Sequence, residues 1–288
     1  AKPSESGATT CPELVSGIVE FLQEYGFYDI KILEGSWIGD NTWRAYKVCG
    51  YEEISAKYNV PLVDLKRDEF VKYNFDEFSI SVARSVIEVD YLINVPVLKA
   101  HCQTKITCAL KNLKGCISDT EKRRFHTLGL HKPIAYLNKV LSSNLIVVDG
   151  IIGDLTFEEG GNPVHMNRVI IGSDPVLIDA YACELIGYNP EDVDYIMLAD
   201  KLLVGNASIS SAKITEINVN SFSEQKYKPT DKVRYLAKWI EDKDACSACY
   251  GSLLHALERL REMGILDKFT GRFIIGQGYK NNLHEGFG

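Results

Sequence analysis

Between Lys99 and Lys114 the run KAHCQTKITCALKNLK gathers side chains suited to holding an anion and moving a proton on it. The ammonium groups of Lys99, Lys111 and Lys114 can neutralise phosphate or carboxylate, and the Asn112 amide can fix its orientation. His101 titrates near neutral pH and is the first candidate for proton transfer, with His126 the second. Asp149 follows a later apolar run, where it could position a metal ion or His101. Asp179 could support a ligand or one of the lysines. Cys246 and Cys249, two residues apart, could place both sulfurs on one metal.

Those groups are informative because of the elements that should carry them. The apolar run from Val89 to Leu98 reads as a strand, so Lys99 and His101 fall just past its carboxyl end, where open α/β sheets bind ligands. Ile106, Ala109, Leu110 and Leu113 then recur at helical spacing, with Gly115 as a stop, and Thr107, Lys111 and Lys114 fall on the opposite face. Residues 99 to 132 hold eight Lys or Arg against two acids, a local charge of +6 in a chain of net charge -7. A basic island in an acidic protein repels itself unless an anion settles there. The alternative is a solvated basic face beside a leucine-packed helix.

The cysteine pair leaves three readings open: half of an iron-sulfur or zinc site that needs about two more ligands, a redox dithiol, or two buried thiols. Cys102, Cys108 and Cys116 are spaced by six and eight residues, which are not cluster spacings, and core packing is the better account of them. The glycine-rich loop after Asp149 carries Asp154, Glu158 and Glu159, which read as a solvated turn more readily than as a cation site. His131, His165, His255 and His284 rank lower. No Walker loop, His-Glu-x-x-His or nucleophile elbow is present, and Gly276-Gln277-Gly278 lacks the third glycine of a dinucleotide loop.

The rest of the chain supplies an α/β rhythm. Helices are expected at Pro12 to Tyr25, at Trp43 to Tyr58 with a break at Gly50, at Ile134 to Leu141, at Pro175 to Ile186 behind an Asp174 cap, and at Tyr195 to Leu203. Strands are expected at Tyr28 to Leu33, ending in Glu34-Gly35-Ser36, and at Pro61 to Leu65, Leu145 to Val148, Arg168 to Gly172, Ile214 to Val219 and Arg272 to Ile275. The run Phe78 to Val86 should pair with the strand after it. The expected fold is α/β, a mainly parallel sheet flanked by helices with a smaller C-terminal α/β segment. A polar stretch divides residues 1–222, the main domain, from 223–288, the cysteine-pair segment.

At 288 residues, 45% hydrophobic and 25% charged, the chain can bury a full core. No apolar run reaches the roughly 20 residues that span a bilayer, and no secretion signal is visible, so a cytoplasmic protein with reduced thiols is expected. The acidic balance argues against nucleic acid as a partner.

The runs LINVPVLKAH, TCALKNLKG, NLIVVDGIIG and GSDPVLIDAYACELIG resemble a bacterial and archaeal family known as domain of unknown function 362, whose members are often labelled iron-sulfur-centre proteins. The resemblance runs from about Gly7 to the C-terminus. It implies an α/β fold and metal chemistry, and it implies no reaction. In that family residues precede this start and further cysteines follow this end, so both termini are expected to continue. An iron-sulfur cluster on Cys246 and Cys249 would be incomplete within these 288 residues.

Two functions are therefore expected. The first is a cleft at strand ends, built by Lys99, His101, Lys111, Asn112, Lys114 and Asp149, that binds an anionic small molecule or cofactor, with a metal- or cluster-assisted reaction as its extension. The second is a non-catalytic iron-sulfur or metal-handling protein, in which the Cys246 and Cys249 pair matters and the basic island docks an acidic partner, a redox partner protein being the expected kind.

Overall fold

The computed structural model describes residues 1–156, 162–217, 227, 231–243, 245 and 247–279. In chain order its first elements are α1 (Pro12–Glu24), β1 (Ile32–Glu34), α2 (Thr42–Val48), α3 (Tyr51–Tyr58), β2 (Leu62–Asp64), β3 (Phe70–Asn74), β4 (Ser79–Ala83), α4 (Arg84–Ile87) and β5 (Ile93–Asn94). The central stretch forms β6 (Lys99–His101), β7 (Lys105–Thr107), α5 (Ala109–Asn112), a 3-10 turn over Leu113–Cys116, α6 (Asp119–Thr127) and α7 (His131–Val140). Then come β8 (Leu145–Asp154), β9 (Pro163–Gly172), α8 (Pro175–Leu185) and α9 (Asp194–Lys201). The last elements are α10 (Asp231–Ala237), β10 (Ile240–Asp242), α11 (Ser247–Glu262) and β11 (Phe273–Ile275).

Mixed α/β is the architecture, and the mainly parallel sheet is a correction. Parallel pairing is confined to short ladders, β1 with β2, β10 with β11, and β5 with β8. The long ladder, β8 with β9, is antiparallel, as are β3 with β4 and β6 with β7. The reason lies in the connections. Only eight residues separate the end of β8 from the start of β9, too few for the crossover that parallel neighbours need. β9 alternates in exposure along its length, as expected of a strand with one face in water.

Proline explains why the Val89 to Leu98 strand is shorter than its apolar run. Pro96 has no N–H to give a ladder, so pairing stops at Asn94 and resumes as a bridge between Val97 and Asp149. Asp149 N donates to Pro96 O and Leu98 N donates to Asp149 O, each at 2.8 Å, so the segment still runs beside β8. The expected helix from Ile106 is also corrected. Lys105, Ile106 and Thr107 pair with β6, Lys105 turns through φ 64°, and the helix starts only at Ala109. Ser79–Ala83 pairs with the strand before it, not after. The described part of the predicted strand at Ile214 takes no regular element, and Val219 lies outside the described residues.

Several expectations hold for the reasons given. Gly50 breaks the second helical run at φ 78°, and the Asp174 carboxylate accepts the N–H groups of Val176 and Leu177 at the start of α8. The principal core joins β4, the β6–β7 hairpin, α5 to α9 and β8, with Ile80, Leu110, Phe125, Ile134 and Tyr195 fully buried. A second cluster packs α1 on α3, and a third gathers Leu236, Ile240, Leu254, Leu257 and Leu266 near the C-terminus.

Candidate functional site at the strand ends

β1 ends at Glu34, and the two residues after it are held in place by a buried lysine. Lys122, one turn inside α6, donates through Nζ to the carbonyls of Gly35 and Ser36, both at 2.8 Å. The helix that presents it is capped by Ser118, which accepts the Glu121 N–H, and is anchored by buried Phe125. Asp119 in its first turn bridges to Lys66 at 2.9 Å and stands 3.8 Å from Lys122. Burial pulls the Lys122 pKa below the usual lysine range, while Glu34 and Asp119 oppose that pull.

Two glycines allow this approach. A Cβ on Gly35 would sit 2.1 Å from the Gly115 carbonyl oxygen, and one on Gly115 would lie 3.5 Å from Glu34 Oε1. The end of β1 therefore touches the 3-10 turn that carries Lys114 and follows Asn112. Glu34 remains exposed to solvent, yet burial raises its carboxyl pKa against the charges of Lys122 and Lys99. Glu34, Lys99 and Lys122 therefore lie close enough to act on one another, and the space bordered by these three charges is the candidate recess. After burial, the larger cause, the same carboxylate helps push the Tyr46 and Tyr51 hydroxyls upward, and the Cys116 thiol to about 12.

The segment Gly7 to Cys11 is tied to the neighbouring strand ends by hydrogen bonds. Lys99 Nζ donates to Ala8 O at 2.9 Å, Thr10 Oγ1 to Val95 O at 2.9 Å, and the Tyr51 hydroxyl to Thr10 O at 3.1 Å. Asp149, 1% exposed, accepts from Cys11 N at 2.6 Å and from Ile151 N at 2.9 Å. Burial raises its pKa, and those two N–H groups oppose the rise. Asp149 and Lys99 thus position the strap that borders the recess.

The other predicted residues are distributed around this frame. His101 is buried, and its Nδ1 accepts the N–H groups of Gln103 and Thr104 at 3.1 Å, closing the β6–β7 turn and leaving Nε2 as the nitrogen for any further partner. Lys111 is also buried, its Nζ 2.7 Å from Thr107 Oγ1. Asn112 is exposed and donates to Asn94 Oδ1, while the Asn94 amide donates to Ala109 O, so an amide chain ties α5 to β5. Asp179 lies wholly in the core. Its carboxylate accepts Ala109 N at 2.7 Å and Leu110 N at 3.2 Å, and burial lifts its pKa to about 7. It positions the helix that carries Lys111 and Asn112 and meets no solvent itself. His126 is half-buried on α6.

The basic island does not form one patch. Lys105 pairs with Asp192 and Lys132 with Glu77, acids outside the island, and Arg124 pairs with Glu121 inside it. Lys99 and Lys122 are the two that act on Glu34. Glu34 and Lys122 were not expected as site residues, although a polar side chain at a strand end is the signal that pointed to Lys99. Cys249 lies exposed in the first turn of α11, and Cys246, Glu158, Glu159 and His284 lie outside the described residues. Among the described residues no group of three or more His, Cys, Asp or Glu is placed to hold a metal ion, and no helix is long and apolar enough to cross a membrane.

With this geometry in place, comparison with known proteins adds one decisive match. The model of the family described as domain of unknown function (DUF362) matches residues 1–184. The chain belongs to this family. The matched span holds every residue of the recess, and Cys249 lies beyond it. A curated relative, thylakoid-associated protein sll1697 from Synechocystis sp. (strain ATCC 27184 / PCC 6803 / Kazusa), is 24% identical over 189 residues, or 62% of this chain. That alignment spans 55% of the relative's own length.

Proposed function

We propose that the DUF362 recess beside Glu34 binds an anionic small molecule or cofactor. Lys99 and Lys122 supply the positive charge, Lys111 and Lys114 add to it, and Asn112 orients the guest through its amide. Glu34 handles the proton, since a carboxyl whose pKa is raised by its surroundings exchanges protons nearer to neutrality than an exposed one. His101 is the second proton carrier, through Nε2. The observation that carries the reading is the juxtaposition of the exposed Glu34 with Lys99 and Lys122, two lysines on separate elements whose charges both act on its carboxyl.

The sign of the coupling gives a test. An anion arriving next to Glu34 destabilises its carboxylate and favours the protonated form, so binding takes up protons and weakens as pH rises through the Glu34 pKa. Calorimetric titration with inorganic sulfate, which does not itself titrate near neutral pH, in buffers of different ionisation enthalpy should show proton uptake in the wild-type chain and none in Glu34→Gln. Lys99→Gln should weaken sulfate by about tenfold, equal to about 1.4 kcal/mol. Equal affinity in wild type and Lys99→Gln, or binding without proton exchange, refutes the reading.

A cytoplasmic location belongs to the same proposal. The thylakoid-associated relative makes attachment to a membrane the contrasting outcome, which cell fractionation would reveal.

A further inference from the structure

Between the end of β1 and the first turn of α2 lie two of the chain's three tryptophans, and both are exposed, Trp37 by 70% and Trp43 by 42%. Trp37 follows Glu34 by three residues, so its backbone stands at most about 10 Å from that of Glu34. Hydrogen bonds tie it to the same frame. Ser36 O, the carbonyl just before the Trp37 N–H, accepts from Lys122 Nζ at 2.8 Å, and Trp37 O accepts from Lys66 Nζ at 3.4 Å. Lys66 in turn bridges Asp119, which stands 3.8 Å from Lys122. The loop is also fastened to itself: Asp40 N donates to Trp37 O at 3.0 Å, Ser36 Oγ to Asp40 O at 3.2 Å, and Lys66 Nζ to Asp40 O at 2.8 Å. A Cβ on Gly39 would stand 3.5 Å from Trp37 Cζ3, so the benzo edge of the indole leans on this glycine while most of the ring is open to water. An exposed ring on a fixed backbone loses little freedom when a partner stacks on it.

We infer that the anionic guest of the Glu34 recess carries a planar aromatic ring, as a nucleoside phosphate does, and that Trp37 stacks on that ring. The inference rests on the anion-binding reading proposed above and extends it to the other end of the guest. Lys99 and Lys122 act together on the single Glu34 carboxyl, so positive charge is in excess where the anionic group would sit. Trp37, on the strand-end loop that Lys122 holds, supplies the apolar half of the recognition. An indole face stacks on any flat heteroaromatic ring without demanding a particular hydrogen-bond pattern. A bare anion makes no use of it. Trp43 lies one turn further on, in α2, with its ring 5.8 Å from that of Tyr46, and it serves as the control.

The test titrates the full chain, by calorimetry at one pH, with adenosine 5′-monophosphate and with ribose 5-phosphate, which lacks the base. The nucleotide should bind about tenfold more tightly, equal to about 1.4 kcal/mol, as expected for one base stacked on an aromatic side chain. Trp37→Ala should remove that gain and leave the affinity for ribose 5-phosphate unchanged, which also shows that the variant folds. Trp37→Phe should keep part of the gain and Trp43→Phe all of it. In the unmodified chain the nucleotide should quench tryptophan fluorescence, and the quenching should survive in Trp43→Phe and vanish in Trp37→Phe. Benzoate against acetate repeats the comparison for an aromatic carboxylate, and the pair with the larger gain names the anionic group. No gain from the ring in either pair, or a gain that persists in Trp37→Ala, overturns the inference and leaves the anion site standing. Failure of all four compounds to bind removes the recess reading, and this inference falls with it.

Discussion

Asp179 couples the stability of the fold to pH, and Asp179→Asn isolates the effect. In the folded chain burial raises its carboxyl pKa to about 7, against an unfolded value of about 3.9. Between those values the folded protein holds a proton that the unfolded chain has released. Its stabilising contribution is complete below the unfolded pKa and is lost as pH rises through the folded one. The gap of roughly three pH units, at about 1.4 kcal/mol for each, corresponds to a loss of about 4 kcal/mol between pH 4 and pH 7. Asparagine keeps one acceptor for the Ala109 and Leu110 N–H groups and does not titrate. Its constant cost is about 1–3 kcal/mol for the N–H left without an acceptor. Urea unfolding at half-unit pH steps should therefore show the variant less stable than wild type near pH 4, with the difference shrinking and reversing towards pH 7.5. Parallel stability curves for the two proteins across this range would refute the reasoning.

Neighbouring contacts lead to further expected outcomes. Gly35→Ala should cost about 2–4 kcal/mol in chemical denaturation, because its Cβ meets the Gly115 carbonyl rather than a side chain that can move aside. Asp149→Ala should strip the acceptor from the Cys11 and Ile151 N–H groups, costing about 2–4 kcal/mol, and should raise the rate of proteolytic cleavage between Gly7 and Cys11. Burial holds the His131 pKa below its ordinary value, and its Nδ1 accepts the Tyr195 N–H. Stability from this contact is present above the unfolded histidine pKa of about 6.5 and is lost as pH falls below it. The C2 proton resonance of His131 should therefore titrate at lower pH than that of a denatured control.

What the sequence disclosed was the local physics. Asp174 before Pro175 and the glycine at position 50 announce their caps and breaks without reference to anything distant. The rule that ligands gather beyond strand ends led to Lys99 and Asp149, and both border the recess. What stayed hidden depended on partners far along the chain. Lys122 looked like one more charge in a basic run, because its burial is set by carbonyls at Gly35 and Ser36, 87 and 86 residues away. The helical spacing from Ile106 was misleading because Pro96 and the His101-capped turn divert that stretch into a hairpin. Cys102 was read as core, and it does pack against apolar side chains, but those of the C-terminal cluster. The antiparallel return of β8 was obscured by Gly150 and Gly153, which interrupt the apolar run while the backbone ladder continues through them.

The most direct measurement is a crystal structure of the full chain soaked in phosphate at a pH below 7. The account predicts tetrahedral density in the recess beside Glu34, with an oxygen within hydrogen-bond distance of Lys99 Nζ. Density only at other surfaces, or a recess closed by a direct Lys99 to Glu34 ion pair, would contradict it.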